Sequence, residues 1–244
     1  KELRNSFLAD LVYVKFNHAK FNPHSKIPSL CLPHSASPPQ DFIMSSRVFP
    51  TMFHPQAGQD NPNLLFPSSF DGLRFMHCND ASQFLIYTDG ACLSNGYGDA
   101  KAGWAFVFGP FANGCVSSSL AKYGPSGEPC DQTSNRAELW AVIAALRYRD
   151  WERDGFCTMV VATDSEYVAK GATQWARTWV CNGWRASTGP VKNQDLWELL
   201  LHEVERLISW GLQVQFWRIS REYNQMADEA AKAAAGGVQN SGMY

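Results

Sequence analysis

The feature that most constrains the fold is an alternation of strand-like and helical patterns that begins near residue 81. Gln83 to Asp89 is an apolar run that ends at a turn, as a buried strand does. Two further strand-like runs follow, from Gly103 to Phe108 and from Cys115 to Tyr123. The short connections between these runs favour antiparallel pairing.

Helical patterns then alternate with strand patterns. Between Asn135 and Arg149, apolar residues recur with the i, i+3, i+4, i+7 spacing of an amphipathic helix. Phe156 to Thr163 is a continuous run suited to a central strand covered on both faces. Further helices are predicted at 165–170, 195–209 and 225–235, with Asn224 as the N-cap of the last one, and a final strand at 214–219. This order predicts an α/β sheet with an antiparallel flank and a parallel centre.

The first 80 residues have a different texture. They hold nine of the thirteen prolines and five of the six histidines but only two glycines. Only residues 7–16 could form a short strand or helix, because proline removes backbone donors. Yet large apolar side chains recur at positions 42, 49, 53, 64, 65, 66 and 70. The segment is either a solvated low-complexity arm or an arm that docks its aromatic side chains on the following domain. We therefore divide the chain into a partly irregular, Pro-rich extension (1–80), an α/β domain (81–238) and a tail (239–244).

Composition excludes several classes of protein. A net charge of −2 excludes a uniformly basic coat for nucleic acid, although a local basic patch stays possible. No apolar run reaches the roughly 18–20 residues of a membrane span. The seven cysteines show no zinc-like spacing, so we expect reduced, mostly buried thiols in an intracellular protein.

Four carboxylates occupy matching points of the predicted topology. Asp89 and Asp164 each end a predicted strand, and Glu138 and Asp228 fall in the first turns of predicted helices. Each acid alone could simply complement a helix dipole. Together they favour a shared site, because active sites of open α/β sheets lie outside the carboxyl ends of strands. Oxygen ligands suit Mg²⁺, and four converging carboxylates repel one another unless cations neutralise them.

Four segments carry a family resemblance. They are YTDGACLSN (87–95), QTSNRAEL (132–139), ATDSEYV (162–168) and NQMADEAAK (224–232). In order and spacing they resemble the signature blocks of type 1 ribonuclease H, over residues 83–236. The resemblance implies a ribonuclease H-like fold: a five-stranded mixed sheet, three strands antiparallel and two parallel, flanked by helices. It also implies two Mg²⁺ ions, with Mn²⁺ as a possible substitute, held by Asp89, Glu138, Asp164 and Asp228.

The implied reaction is endonucleolytic cleavage of the RNA strand of an RNA/DNA hybrid, which leaves 3′-hydroxyl and 5′-phosphate ends. We expect a monomer whose partner is the hybrid and not a membrane. On the RNA strand, the resemblance assigns contacts to Asn95, Ser134 and Asn135. The alternative for the two asparagines is turn or capping chemistry.

The resemblance assigns contacts with the DNA strand to a second set of residues. Residues 171–193 resemble the handle of cellular type 1 enzymes, with Trp175 and Trp179 on its aromatic positions. Trp179, however, could equally belong to the small core of the handle, as we expect for Trp184. Thr133 and Asn193 match positions that hold a DNA phosphate.

Two positions depart from the family pattern. The loop before the last acid, ISREYNQMAD (219–228), is short and lacks the histidine that many members carry. Arg221, Glu222 or Tyr223 could substitute in part. Asp131 stands where a basic residue is expected, which would weaken the hold on the DNA phosphate. These departures, with the aromatic-rich arm, keep one alternative open: a non-catalytic nucleic-acid-binding or assembly subunit with the same fold. A further alternative is a nuclease domain cut from a larger polyprotein.

Overall fold

The computed structural model describes residues 47–238. The expectations for residues 1–46, which include the element at 7–16, and for the tail 239–244 lie outside the described residues.

One mixed sheet of seven strands forms the centre of the fold, in the spatial order β1-β9-β6-β3-β4-β5, with β2 paired to β3. The strands are β1 (Thr51–Met52), β2 (Phe75–His77), β3 (Asp80–Leu93), β4 (Lys101–Val107), β5 (Cys115–Ser119), β6 (Thr158–Thr163) and β9 (Gln213–Arg218). A separate hairpin consists of β7 (Arg185–Ala186) and β8 (Gly189–Pro190). β3, β4 and β5 pair antiparallel, whereas β3, β6 and β9 pair parallel. The predicted mixed sheet is confirmed, and all five predicted strands are present.

Helices flank the sheet. They are α1 (Pro62–Leu65), α2 (Ser134–Arg147), α3 (Glu166–Lys170), α4 (Ala176–Cys181), α5 (Gln194–Ser209) and α6 (Gln225–Ala235), and a single π-helical segment (Gly171–Trp175) joins α3 to α4. Within residues 47–238, none of these helices combines the length and the apolar character needed to cross a bilayer. The predicted helices are found within two residues of their expected bounds.

The core explains the predicted periodicity. Leu139, Val142, Ile143 and Leu146 all lie fully buried on the inner face of α2. They join a hydrophobic cluster that includes residues of β3, β6 and α5. The six cysteines among the described residues are unpaired, as expected. They are not mostly buried, however: three are exposed and three are half-buried.

Two glycines let helices approach the sheet closely. A Cβ atom on Gly90 would lie 2.1 Å from the backbone nitrogen of Glu138 in α2, and one on Gly103 would lie 2.2 Å from that of Ala235 in α6. Such distances exclude any side chain, so α2 and α6 rest directly on the backbones of β3 and β4. The first of these contacts places Glu138 beside β3.

Part of the predicted extension belongs to the sheet and core. β1 pairs parallel with β9 and so covers that edge of the sheet. The rings of Phe53 and Phe66 pack on Trp217 of β9, with centroids 5.1 and 6.1 Å from it. Phe66 is fully buried, whereas Phe70 is fully exposed. For residues 47–80 the docked arrangement is therefore the correct alternative. The strands β1 and β2 were not predicted, because two or three residues are too short to show a period.

Phe66 and Phe70 offer a matched pair of substitutions. Phe66→Ala should lower the free energy of unfolding by about 3–5 kcal/mol, because it leaves a cavity beneath Trp217. Phe70→Ala should change it by less than about 0.5 kcal/mol, because that ring is in solvent. Urea unfolding followed by tryptophan fluorescence measures both. Equal effects of the two substitutions would show that the segment is not docked.

Candidate active site

The carboxyl edge of the parallel strands gathers the four acids. β6 ends at Thr163, so Asp164 follows it directly, and the pairing of β3 with β6 ends at Tyr87. Asp89 therefore extends beyond the paired region to the same edge. The prediction that Asp89 ends its strand is wrong, because β3 continues to Leu93 in its pairing with β4.

The two helical acids reach this edge from opposite sides of β3. Asp228 lies in the first turn of α6, as predicted. Glu138 lies just beyond the first turn of α2 instead of within it, because the helix begins one residue earlier than predicted, at Ser134. The close contact of α2 with Gly90 nevertheless brings Glu138 beside Asp89.

Electrostatics show that the four carboxylates share one environment. Burial, together with the charge of Asp164, raises the pKa of Asp89 to about 8, and the charges of Glu138 and Asp228 act in the same direction. Burial also raises the pKa of Glu138 to about 7, with a further contribution from Asp164. Asp89 is 5% exposed. The chain therefore holds a cluster of carboxylates that are hard to ionise together without added positive charge.

Neutral donors orient two of the acids. The hydroxyl of Ser165 donates to Oε2 of Glu138 over 2.6 Å. The amide of Asn224 donates to Oδ1 of Asp164 over 3.0 Å and to the carbonyl of Thr88 over 3.1 Å. Asn224 sits at the predicted N-cap position of α6, but its side chain makes no capping bond. The sequence did not predict its hydrogen bond to Asp164, because an asparagine just before a helix is equally typical of an N-cap.

Two cations hold the fourth acid. Lys232 Nζ donates to Asp228 Oδ2 over 2.6 Å, and Arg221 Nη2 donates to Asp228 Oδ1 over 3.1 Å. Burial alone would raise the pKa of Asp228, but these two hydrogen bonds hold it below its usual value. Arg221 Nε also lies 3.9 Å from Asp164 Oδ2. Arg221 belongs to the short loop that lacks histidine, and its guanidinium therefore spans two of the acids.

The donor set suits a hard divalent cation. Asp89 has one hydrogen bond to a carboxylate oxygen, from the backbone of the adjacent Gly90. Among residues 47–238, no three acidic, histidine or cysteine side chains already stand arranged as metal ligands. The four acids nevertheless meet at one edge of the sheet. Their oxygens, at one edge and partly buried, are of the type that Mg²⁺ and Mn²⁺ accept.

The residues expected at the RNA strand belong to, or directly follow, the elements that carry Asp89 and Glu138. The Asn95 amide is 3.5 Å from the hydroxyl of Ser134, so the structure brings these two together. Asn135 is exposed in the first turn of α2.

The expected DNA-phosphate residues meet around one arginine. Thr133 caps α2 by accepting from the backbone nitrogen of Arg136 over 3.3 Å. The Arg136 side chain in turn donates to Asn193 Oδ1 over 3.3 Å. Arg136 also forms an ion pair with Asp195 at 2.6 Å. Asp131 is exposed at the surface.

The aromatic residues of the handle form a chain of rings. Trp175 and Trp179 have centroids 5.8 Å apart, and Trp179 lies 5.4 Å from Trp197 of α5. Trp179 and Trp184 both pack against the main core, whereas the prediction placed Trp184 in a small core of the handle itself. Trp175 is half-buried and stands outermost in this chain of rings.

Comparison with known proteins agrees with this geometry. A family model described as RNase H matches residues 81–236. The chain belongs to the RNase H family. A ribonuclease H from Treponema pallidum subsp. pallidum is 39% identical over 169 residues, which cover 64% of this chain and 93% of the relative. A ribonuclease H from Hahella chejuensis is 43% identical over 151 residues, covering 60% and 88%.

The RNase H fold also has a solved counterpart. A foamy viral protease-reverse transcriptase, solved in complex with an RNA/DNA hybrid, is similar with a TM-score of 0.50 and 18% sequence identity. The match covers 98% of this chain and 27% of that one. At this identity the likeness concerns the fold alone.

The raised pKa of Asp89 predicts how stability depends on pH in the absence of metal. The folded-state pKa of about 8 lies above the usual 3.8. The contribution of Asp89 to the free energy of unfolding is therefore fully present below about pH 4 and is lost as the pH rises through 8. Asp89→Asn removes this penalty and should raise the Tm of the metal-free protein at pH 8 by about 3–10 °C. Near pH 4 the gain should vanish.

The measurement is thermal unfolding in chelator at both pH values, with Asp60→Asn as an exposed control that should behave as wild type. Adding Mg²⁺ at pH 8 should stabilise wild type more than Asp89→Asn. A variant that is no more stable than wild type at pH 8 would contradict the assignment of Asp89 to a repulsive cluster.

Proposed function

We propose that this chain is a Mg²⁺-dependent endoribonuclease that cleaves the RNA strand of RNA/DNA hybrids to 3′-hydroxyl and 5′-phosphate ends. The observation that carries the proposal is the electrostatic contact of Asp89 with Glu138, Asp164 and Asp228 at one edge of the sheet. Membership of the RNase H family supports the substrate and the reaction. Mn²⁺ is an alternative ion, since it accepts the same oxygen ligands.

The four carboxylates would hold two divalent cations, the arrangement used for in-line phosphoryl displacement. When bound, the ions would neutralise the carboxylates, lower the pKa of the attacking water and stabilise charge on the departing 3′-oxygen. The chain itself would orient the ligands: Ser165 holds Glu138, and Asn224 holds Asp164. Such neutral donors orient the carboxylates without neutralising their negative charge, which stays available to the cations.

Discrimination of RNA from DNA would come from the groups beside the acids. The 2′-hydroxyl both donates and accepts, so short amide and hydroxyl side chains suit it. Asn95, Ser134 and Asn135 are such groups, and the first two lie within 3.5 Å of each other. Thr133 and Asn193 would hold a phosphate of the DNA strand, and Trp175 and Trp179 would contact it further along the handle.

Arg221 is the residue of the short loop that we assign to the role left by the missing histidine. Its guanidinium reaches both Asp228 and Asp164, and its charge also acts on Asp89 and Glu138. It would offset the repulsion among the acids and attract the phosphate of the substrate. Tyr223, by contrast, packs against a hydrophobic cluster.

The decisive experiment compares a labelled RNA/DNA hybrid, double-stranded RNA and double-stranded DNA, each with Mg²⁺ or with chelator. Only the hybrid should be cleaved, and only with the metal. Asp89→Asn should lower the rate at least about a hundredfold, a loss typical of removing an electrostatic stabiliser of the transition state. Asp60→Asn is the exposed control. Hybrid binding without cleavage in wild type would instead favour the non-catalytic alternative.

Arg221→Ala tests the loop. Loss of a charged partner that touches two acids should lower kcat for the hybrid by about tenfold or more. Arg153→Ala, which removes an exposed guanidinium paired with Asp150, should leave kcat unchanged. Steady-state rates at saturating Mg²⁺ measure both. If the two variants behave alike, Arg221 has no role in turnover.

A further inference from the structure

In the proposed function Asn193 would bind a phosphate of the DNA strand, and this residue is held in an unusual way. Its backbone is left-handed, with φ of 58°, at the N-cap of α5. Its side-chain oxygen accepts from Arg136, and its amide nitrogen donates over 3.2 Å to the hydroxyl of Tyr167. Both ends of the amide are thus bound, and the two partners come from α2 and α3.

The hydroxyl of Tyr167 can hold only one orientation of that amide. It donates to the carbonyl of Lys192 over 3.3 Å and accepts from Nε1 of the buried Trp197 over 3.0 Å. Since its single proton is used, its remaining lone pair must face a donor. Asn193 therefore turns its NH₂ group toward Tyr167, and its oxygen accepts from Arg136 on the other side.

This arrangement leaves one amide proton of Asn193 without an acceptor in the described part of the chain. A neutral donor held in this way is suited to a phosphate oxygen, since asparagine side chains are among the common phosphate contacts in nucleic-acid complexes. A flipped amide would instead present its oxygen and repel the phosphate.

Tyr167 also lies between the two parts of the site. It follows Asp164 by three residues, at the start of α3, and α3 packs against α2, which carries Glu138. Tyr167 thus joins the helix that follows Asp164 to the residue that would hold the opposite strand.

We propose that Tyr167 is a positioning residue for hybrid binding: its hydroxyl fixes the amide orientation of Asn193, so that the NH₂ group donates to a phosphate of the DNA strand. This inference rests on the proposed function. It predicts that loss of the hydroxyl weakens the hold on the hybrid but leaves the chemistry at the acids intact.

Tyr167→Phe should therefore raise KM for the hybrid roughly threefold to tenfold, the effect of one hydrogen bond, with kcat within about twofold of wild type. Tyr87→Phe is the matched control: it removes the hydroxyl of another buried tyrosine, which donates to Asn63 over 2.9 Å and does not touch Asn193. That variant should keep the wild-type KM. Thermal unfolding of both variants measures the general cost of a lost hydroxyl.

A double-mutant cycle with Asn193→Ala distinguishes positioning from a general structural effect. If Tyr167 acts through Asn193, Tyr167→Phe should change KM by less than about twofold in the Asn193→Ala background. An equal change of KM in both backgrounds, or no change in either, would overturn the inference. A wild-type KM for Asn193→Ala itself would overturn it too, since the amide would then hold nothing. Failure of wild type to cleave the hybrid would be a failure of the proposed function, seen before any variant is compared.

Discussion

The repulsion among four partly buried carboxylates is the constraint on which the site depends. Taking an ionised carboxylate out of water is costly, and nearby like charges add to that cost. The raised pKa of Asp89, at about 8, records both effects. Both effects arise because α2 rests directly on Gly90, where no side chain could fit, and so brings Glu138 beside Asp89. One glycine thus fixes the spacing between a strand acid and a helix acid.

The groups around the acids divide into two kinds. On Glu138 and Asp164 the hydrogen-bond donors are neutral, a serine hydroxyl and an asparagine amide, although Arg221 Nε also lies 3.9 Å from Asp164 Oδ2. On Asp228 the partners are two cations. The cluster is therefore electrostatically uneven: the negative charge is least compensated around Asp89, which is where a divalent ion gains most.

The sequence predicted the large features because they repeat. The helix around Leu139 and the central strand before Asp164 each show a sustained pattern, and both are found where expected. β1 and β2 are too short to show a period: β1 is ordered by contact with β9, which lies far away in sequence, and β2 by pairing with β3, which follows it directly. For the same reason the roles of Asn224 and Tyr167 could not be predicted. Their hydrogen bonds join residues brought together by the fold, with no local signature.

The short loop places an arginine, and not a histidine, against the acids. A histidine can donate and accept a proton near neutral pH, but a guanidinium stays protonated. Hydrogen bonding to Asp228 raises the pKa of Arg221 further, so this side chain keeps its charge throughout the working range. In the proposed function Arg221 would therefore act through electrostatics alone, and a proton that leaves the attacking water would pass to solvent or to the substrate. Its guanidinium would supply Asp228 and Asp164 with a permanent charge in place of a titrating group.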